Sequence, residues 1–149
     1  MKEIEGDIWD YHEENNWIVI TTNGTLKNDG SLVMGKGIAL QAVERFPQLP
    51  SLLGCYVKDY GNHVLPVMQY KIITFPVKND WRKVADTKLI VRSCIEIVYI
   101  CDIQWHYMFK QLSKVYLPRP GCGVGGLNWE EVKPICEKYL DERFVVVNR

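Results

Sequence analysis

The stretch Pro118-Arg119-Pro120-Gly121-Cys122-Gly123-Val124-Gly125-Gly126-Leu127-Asn128-Trp129 decides how the chain folds, because it joins a strand pattern to a helix pattern. The apolar run Val115–Leu117 precedes it. A helix is predicted over residues 129–140, with Asn128 as N-cap and Glu131 in a capping-box position. Glycines let a ligand approach the backbone, and the free N–H groups of a helix's first turn favour negative charge. The stretch therefore predicts a binding site for a phosphate or diphosphate.

Two other glycine-rich motifs share this pattern, and the surrounding sequence argues against both. The spacing Gly121-x-Gly123-x-x-Gly126 matches the dinucleotide fingerprint, but that fingerprint is followed by further βα units and an acidic residue about 20 positions on. Only one predicted strand remains after the helix here. A nucleotide-triphosphate P-loop needs Lys and then Ser or Thr after its last glycine, where Leu127 and Asn128 stand. A glycine-rich turn without a ligand remains open as the alternative.

Length and composition predict one globular domain over residues 1–149. The 18 basic and 18 acidic side chains balance, so the chain has no general attraction to nucleic acid or to an anionic membrane. Five scattered cysteines without a C-x-x-C pair and three isolated histidines predict neither a disulfide framework nor a metal site. The chain contains no signal-peptide pattern and no long uninterrupted apolar stretch. We expect a cytoplasmic protein with no membrane partner, and a monomer.

Predicted strands and helices alternate along the chain. The strand patterns cover residues 3–8, 17–21, 64–68, 70–75, 115–117 and 144–147. The helix patterns cover residues 38–46, 49–60, 86–103 and 129–140. A second glycine loop, Gly35 to Gly37, precedes the first of these helices. The alternation predicts a three-layer α/β/α domain.

Four motifs, in this order along the chain, resemble the macro domain family. They are Gly6-Asp7-Ile8, Thr22-Asn23, Val33-Met34-Gly35-Lys36-Gly37-Ile38-Ala39 and the glycine-rich stretch quoted above. Within the family the chain is similar to the small ADP-ribosyl glycohydrolases, which include an antitoxin that removes ADP-ribose from DNA. Residues 73–82 also resemble that branch. The resemblance covers nearly the whole chain. It implies a mixed central sheet flanked by helices, a cleft for ADP-ribose at the crest of the sheet, and no cofactor.

The resemblance also implies which residues bind ADP-ribose. Asp7 would accept a hydrogen bond from the adenine amino group, and Ile8 would contact the ring. Asn23 would face the distal ribose, with Thr22 beside it. The loop that wraps this ribose would run from Met34 to Ala39, with Met34, Gly35, Lys36, Gly37 and Ile38 as its binding residues. The loop that holds the diphosphate would contain Pro120, Gly121, Cys122, Gly123, Val124, Gly125 and Gly126.

Lys78 stands at the place of a lysine that is tied to catalysis in the same branch. Its amine would either attack the anomeric carbon of an opened ribose or stay protonated and stabilise charge on the departing group. These two roles require opposite protonation states. Relatives that remove ADP-ribose from protein carboxylates carry an aspartate where Gly125 stands, whereas the DNA-directed type has glycine there. We therefore expect hydrolysis of an ADP-ribosyl linkage centred on Lys78, on DNA or protein.

Two other functions fit the same cleft. It would remove the phosphate from ADP-ribose 1''-phosphate, or it would only bind ADP-ribose and its conjugates. Trp81 is either a loop anchor or an exposed platform that stacks on a base. Cys122 lies in an amide-rich loop, an environment that can lower a thiol pKa, but no histidine is near it in sequence, so we do not expect a nucleophile there.

Overall fold

A computed structural model describes residues 1–108 and 114–149 of the protein. Its strands are β1 (Lys2–Glu5), β2 (Trp17–Thr22), β3 (Pro66–Val67), β4 (Ile72–Pro76), β5 (Val115–Leu117) and β6 (Phe144–Asn148). Its α-helices are α1 (Ile8–Glu13), α2 (Gly37–Arg45), α3 (Leu49–Tyr60), α4 (Thr87–Met108) and α5 (Trp129–Tyr139). Two short 3₁₀ turns cover Met68–Tyr70 and Gly123–Gly125.

The described strands form one sheet in the order β1-β6-β5-β2-β4-β3. All neighbours are parallel except β3, which runs antiparallel to β4 at the edge. Strands β2 and β4 are almost fully buried along their length, as expected for strands covered on both faces. The sheet is therefore mixed, as the resemblance implied.

Helices cover both faces of the sheet and create two separate cores. On one face α4 and α5 contribute Ile90, Ile97 and Val132, which pack against β4, β5 and β6. On the other face α1, α2 and α3 contribute residues such as Trp9 and Leu53, which pack against the opposite sides of β2 and β4. This arrangement confirms the predicted three-layer α/β/α fold.

The first strand is shorter than predicted, because Ile8 belongs to a helix. β1 ends at Glu5, and Asp7 is the N-cap of α1. An Asp7 carboxylate oxygen accepts a hydrogen bond from the Trp9 N–H at 3.0 Å, which starts the helix at Ile8.

The two strands predicted over residues 64–68 and 70–75 are also different in the structure. Only Pro66–Val67 pairs as β3, and the 3₁₀ turn Met68–Tyr70 follows it. Lys71 then takes a left-handed conformation with φ of 53°, which turns the chain into β4. The proline has no N–H to donate, so it fits an edge strand.

None of the helices in the described ranges combines the length and apolar character needed to cross a bilayer. Across residues 1–108 and 114–149, no group of three His, Cys, Asp or Glu residues is arranged to hold a metal ion. All five cysteines are free thiols.

Helix α4 runs to Met108, five residues beyond its predicted end at residue 103.

Candidate functional site

The carboxyl ends of the parallel strands meet at one edge of the sheet, where a cleft of about 790 Å³ opens. Open α/β sheets bind ligands in this position, and the volume lies within the range of small-molecule sites. The chain enters the cleft after four strands. It does so at Asn23 after β2, Lys78 after β4, Pro118 after β5 and Arg149 after β6.

The glycine loop after β5 lies along the middle of the cleft. Gly121 has φ of 74°, and a β-carbon there would lie 2.8 Å from Cδ1 of Ile90, so only glycine fits against α4. The 3₁₀ turn Gly123–Gly125 follows. The N–H groups of Gly123 and Val124 begin this turn, and neither donates to a carbonyl of another residue that the structure describes. Unpaired amides in this arrangement suit an anion.

A second glycine loop faces the first from the opposite wall. Helix α2 begins at Gly37, and its N-cap residue Lys36 makes no side-chain capping bond, so the first-turn amides have no side-chain acceptor from the cap. Gly37 and Ile38 line the cleft. A β-carbon on Gly37 would lie 3.3 Å from Cγ2 of Val124. The Val124 side chain of the first loop therefore lies close to the start of α2 in the second.

Asn23 lines the cleft, but the fold already uses much of its side chain. The amide nitrogen donates to the Val33 carbonyl at 2.9 Å, and the amide oxygen accepts from the Thr25 N–H at 2.9 Å. The residue is only 9% exposed. These bonds hold the start of the second glycine loop against the end of β2. Direct contact of Asn23 with a ribose stays a prediction.

Lys78 projects from a loop that is fixed to the sheet on two sides. The Val77 N–H donates to the Thr22 carbonyl at 3.0 Å and so extends the ladder between β2 and β4 by one residue. The Asn62 side chain donates to the Lys78 carbonyl at 3.1 Å. Lys78 is half-buried and lines the cleft, and its amine has no hydrogen bond or ion pair with any residue in the described ranges. It is therefore available to a ligand.

The same loop carries Trp81, which is 44% exposed and also lines the cleft. Its backbone N–H donates to Oγ1 of Thr25 at 3.0 Å. Next to it Arg82 donates two side-chain hydrogen bonds to Asp80, at 3.1 and 2.9 Å. These bonds lower the pKa of the Asp80 carboxyl to about 2, so this carboxylate stays charged and paired at neutral pH.

Most of the residues predicted to bind ADP-ribose do line this one cleft. They are Thr22, Asn23, Met34, Gly35, Lys36, Gly37, Ile38, Gly121, Cys122, Gly123, Val124 and Gly125. Ile8 is buried beneath its helix, and the remaining predicted residues lie just outside the lining, namely Asp7, Pro120 and Gly126. Asp7 still borders one end of the cleft, because its free carboxylate oxygen lies 3.8 Å from a guanidinium nitrogen of Arg149.

Several other residues of the lining were not among the binding residues predicted one by one. These are Thr21, Lys27, Val33, Ala39, Val77, Pro118, Arg119 and Arg149. The guanidinium of Arg119 lies over the Trp129 ring at 5.1 Å, and its buried Nε has no hydrogen-bond partner in the described part of the chain. Val33, Pro118 and Arg119 belong to the motifs quoted from the sequence, but no ligand contact was assigned to them.

Cys122 faces the cleft, but its thiol is not activated. Burial raises its pKa, which outweighs the opposite effect of the nearby Arg119 charge. The thiol stays protonated at neutral pH, in agreement with the expectation that it is not a nucleophile.

No family model matches the chain. Among curated proteins, the DNA ADP-ribosyl glycohydrolase of Mycobacterium tuberculosis is 30% identical over 113 residues, which cover 68% of this chain and 30% of that protein. The enzyme of the same name from Thermus aquaticus is 31% identical over 122 residues, which cover 73% of this chain and 31% of that protein. The chain thus spans about a third of the length of the curated relatives it matches.

Solved macrodomains match the whole of the described fold. The macrodomain of Mycobacterium tuberculosis DarG superposes with a TM-score of 0.76 at 25% identity, covering 99% of this chain and 97% of that one. The macrodomain of Thermus aquaticus DarG gives 0.71 at 27% identity, with 99% and 97% covered. Thermosipho africanus DarTG, solved in complex with ADP-ribose, gives 0.74 at 22% identity and covers 97% of this chain and 40% of that one.

Proposed function

Because the chain is a macro domain similar to those of the DarG proteins, we propose that it binds ADP-ribose and hydrolyses an ADP-ribosyl linkage on DNA. The observation that carries the proposal is the composition of the cleft. Unpaired loop amides lie at its middle, and Lys78, whose amine is available, lies at the end of β4. The unpaired amides suit a diphosphate, and the Lys78 amine suits cleavage of the ADP-ribosyl linkage next to it.

The order of the strands supports the orientation of the ligand. The cleft crosses three strand intervals, from β6 through β5 and β2 to β4. At about 4.8 Å for each interval it is about 14 Å long, which suits an extended molecule with a central diphosphate. The diphosphate lies along the glycine loop after β5. The adenosine then points toward Asp7 and Arg149, and the distal ribose toward Thr22 and Lys78.

The choice of DNA follows from the relatives and from one position in the glycine loop. Two curated proteins at 30% and 31% identity carry the name DNA ADP-ribosyl glycohydrolase. Gly125 stands where the protein-directed enzymes of the resemblance have an aspartate. A general base from that position is therefore missing. The chemistry falls to Lys78.

Lys78 has two possible roles, and a variant distinguishes them. As a nucleophile, the amine attacks the anomeric carbon of the opened ribose while that carbon is still bonded to the base nitrogen. The carbon–nitrogen bond to the base then breaks, the base nitrogen takes up the proton that the amine releases, and the sugar is left as an imine of Lys78. Water then hydrolyses the imine and regenerates the amine. As a cation, the ammonium stabilises the negative charge that develops on the departing base while water attacks.

The experiment measures turnover of an oligonucleotide that carries ADP-ribose on a base, alongside calorimetric titration with ADP-ribose. We expect Lys78→Ala to lower kcat by about 100-fold or more, the effect of removing one charged catalytic group, and to leave ADP-ribose affinity within about threefold. Lys88→Ala is the matched control, since this exposed lysine at the start of α4 is outside the cleft lining.

Lys78→Arg separates the two roles, because a guanidinium keeps the charge but does not form the imine. Retained turnover in this variant indicates the charge-stabilising role, and loss together with borohydride trapping of the wild type indicates the nucleophile. Full activity of Lys78→Ala removes Lys78 from the mechanism. Release of inorganic phosphate from ADP-ribose 1''-phosphate, without cleavage of the oligonucleotide, would instead identify a phosphatase. Binding without any turnover would identify a binding module.

A further inference from the structure

We infer that Trp81 is the platform on which the departing base stacks, and that it makes the enzyme select ADP-ribose linked to a nucleobase over ADP-ribose linked to a carboxylate. This inference rests on the proposed function. It assigns a specificity role to a residue of the cleft lining that follows β4 and belongs to neither glycine loop.

The position of Trp81 is fixed independently of any ligand. Its loop is bonded to the loop after β2 at two points, since the Gly24 N–H donates to the Asn79 carbonyl at 3.2 Å and the Trp81 N–H donates to Thr25 Oγ1 at 3.0 Å. Thr25 Oγ1 in turn donates to the Asn79 carbonyl at 3.4 Å. The backbone of Trp81 is thus held in place by a closed set of hydrogen bonds.

The side chain, in contrast, is not used by the fold. It is 44% exposed, lines the cleft, and belongs to neither hydrophobic core. Its indole N–H makes no hydrogen bond with residues 1–108 or 114–149, and no ring of the described residues stacks on it. A large aromatic surface left exposed on a rigid loop is typical of a binding contact rather than of a packing anchor.

The geometry of the cleft places this surface beside the scissile bond. The diphosphate loop follows β5, the next strand across the sheet is β2, and Lys78 follows β4 beyond it. Whatever is attached to the anomeric carbon therefore leaves on the β4 side. Trp81 lies three residues after Lys78 on that side and lines the same cleft.

A flat base gains more from this surface than a carboxylate does. Stacking of a base on an aromatic side chain does not depend on hydrogen-bond readout and is available to every base. Lysines also lie along the cleft. Lys27 and Lys36 are exposed in its lining, and Lys83 is exposed on the Trp81 loop. Their positive charge attracts the phosphates that flank a base.

The experiment compares kcat/KM for two substrates, an oligonucleotide with ADP-ribose on a base and a peptide with ADP-ribose on a glutamate. For Trp81→Ala we expect a loss of about tenfold or more on the oligonucleotide, the effect of one lost base stack, and less than about twofold on the peptide. Trp81→Phe keeps an aromatic face and should retain most of the activity. Trp81→Leu keeps apolar bulk without the face and should resemble Trp81→Ala.

Two controls keep the result interpretable. ADP-ribose affinity should stay within about twofold in all three variants, because Trp81 lies beyond the distal ribose. Tyr99→Ala removes an exposed aromatic ring from α4, outside the cleft, and should leave both substrates unaffected. Equal losses on both substrates, no loss in Trp81→Ala, or equal activity of the Phe and Leu variants would overturn the inference. Absence of ADP-ribose binding in the wild type would instead overturn the proposed function itself.

Discussion

Gly123 has room for a side chain but lacks a backbone conformation that suits one. A β-carbon there would find no atom within 4 Å, because it would project into the cleft, yet φ is 72°. Gly121, two residues earlier, is glycine for the opposite reason, since a β-carbon there would meet Ile90, Ala85 and Leu127. The same loop therefore uses one glycine to pack against the core and another to keep the anion site open.

This difference makes Gly123 the sharper probe of the diphosphate site. We expect Gly123→Glu to abolish ADP-ribose binding, because a negative charge would enter the site of a diphosphate. Gly123→Ala adds only backbone strain and should weaken binding by about tenfold or less. Gly123→Lys, of similar bulk but positive, should bind better than the Glu variant. Calorimetric titration checks all three, and normal affinity of Gly123→Glu would mean that the diphosphate lies elsewhere.

The position of Asn23 in the cleft could be predicted from the sequence, but not all of its hydrogen bonds could. The resemblance assigned it to the distal ribose, and the structure does bring it into the cleft. Its bond from Thr25 is local and fits the ordinary behaviour of an asparagine after a strand. Its bond to Val33, ten residues on, depends on how the loop folds back, and no local pattern predicts that.

Helix α4 is attached to the sheet by a buried polar contact as well as by apolar packing. Ser93 is fully buried, and its hydroxyl donates to the Pro76 carbonyl at 2.6 Å, at the end of β4. Lys78 follows two residues later. This bond therefore helps to fix the strand end from which the proposed catalytic loop starts.

Removing this hydroxyl should destabilise the protein. We expect Ser93→Ala to lower the free energy of unfolding by about 1–2 kcal/mol, because a buried carbonyl loses a donor. For a domain of this size that corresponds to a fall in Tm of about 2–8 °C. Ser51→Ala on the exposed face of α3 is the matched control and should change Tm by less than about 1 °C. Thermal unfolding followed by circular dichroism measures both, and equal Tm values would show that the Ser93 bond contributes nothing.

The elements that the sequence predicted well are those with local signals. Helix α5 begins with the predicted capping box, in which the Glu131 carboxylate accepts from the Asn128 N–H at 3.0 Å. Helix α3 has its proline in the first turn and Gly61 at its end, as predicted. The six-residue helix α1 was missed, because it is too short to display a helical period. The turn at Lys71 was missed because a left-handed lysine has no sequence signature.

At the scale of the whole molecule, the order of the strands in the sheet could not be predicted from the sequence. β1 pairs with β6 at the other end of the described chain, and β5 lies between β6 and β2. These pairings depend on tertiary packing and not on local pattern. The sequence predicted a phosphate site in the loop from Gly121 to Gly126 and a second glycine loop, Gly35 to Gly37, before a helix. That they face each other, with Lys78 and Trp81 at one end, follows only from this order.

A ligand that bridges four strand ends should stabilise the whole fold. At an ADP-ribose concentration about 100 times its Kd, the linkage relation gives about 2.7 kcal/mol of added stability. We expect a rise in Tm of about 5–10 °C for the wild type. Gly123→Glu should show no rise, and AMP, which lacks the diphosphate, should have less effect than ADP-ribose. A rise of the same size in Gly123→Glu would show that ADP-ribose binds outside the cleft.

The closeness of Gly37 and the Val124 side chain also has a kinetic consequence. A β-carbon on Gly37 would lie 3.3 Å from Cγ2 of Val124, and both residues line the cleft. A ligand that runs the length of the cleft passes both loops, so we expect movement of the exposed Val124 side chain to accompany its entry and release. The residence time of the product then depends on this movement, and release can limit turnover even when bond cleavage is fast.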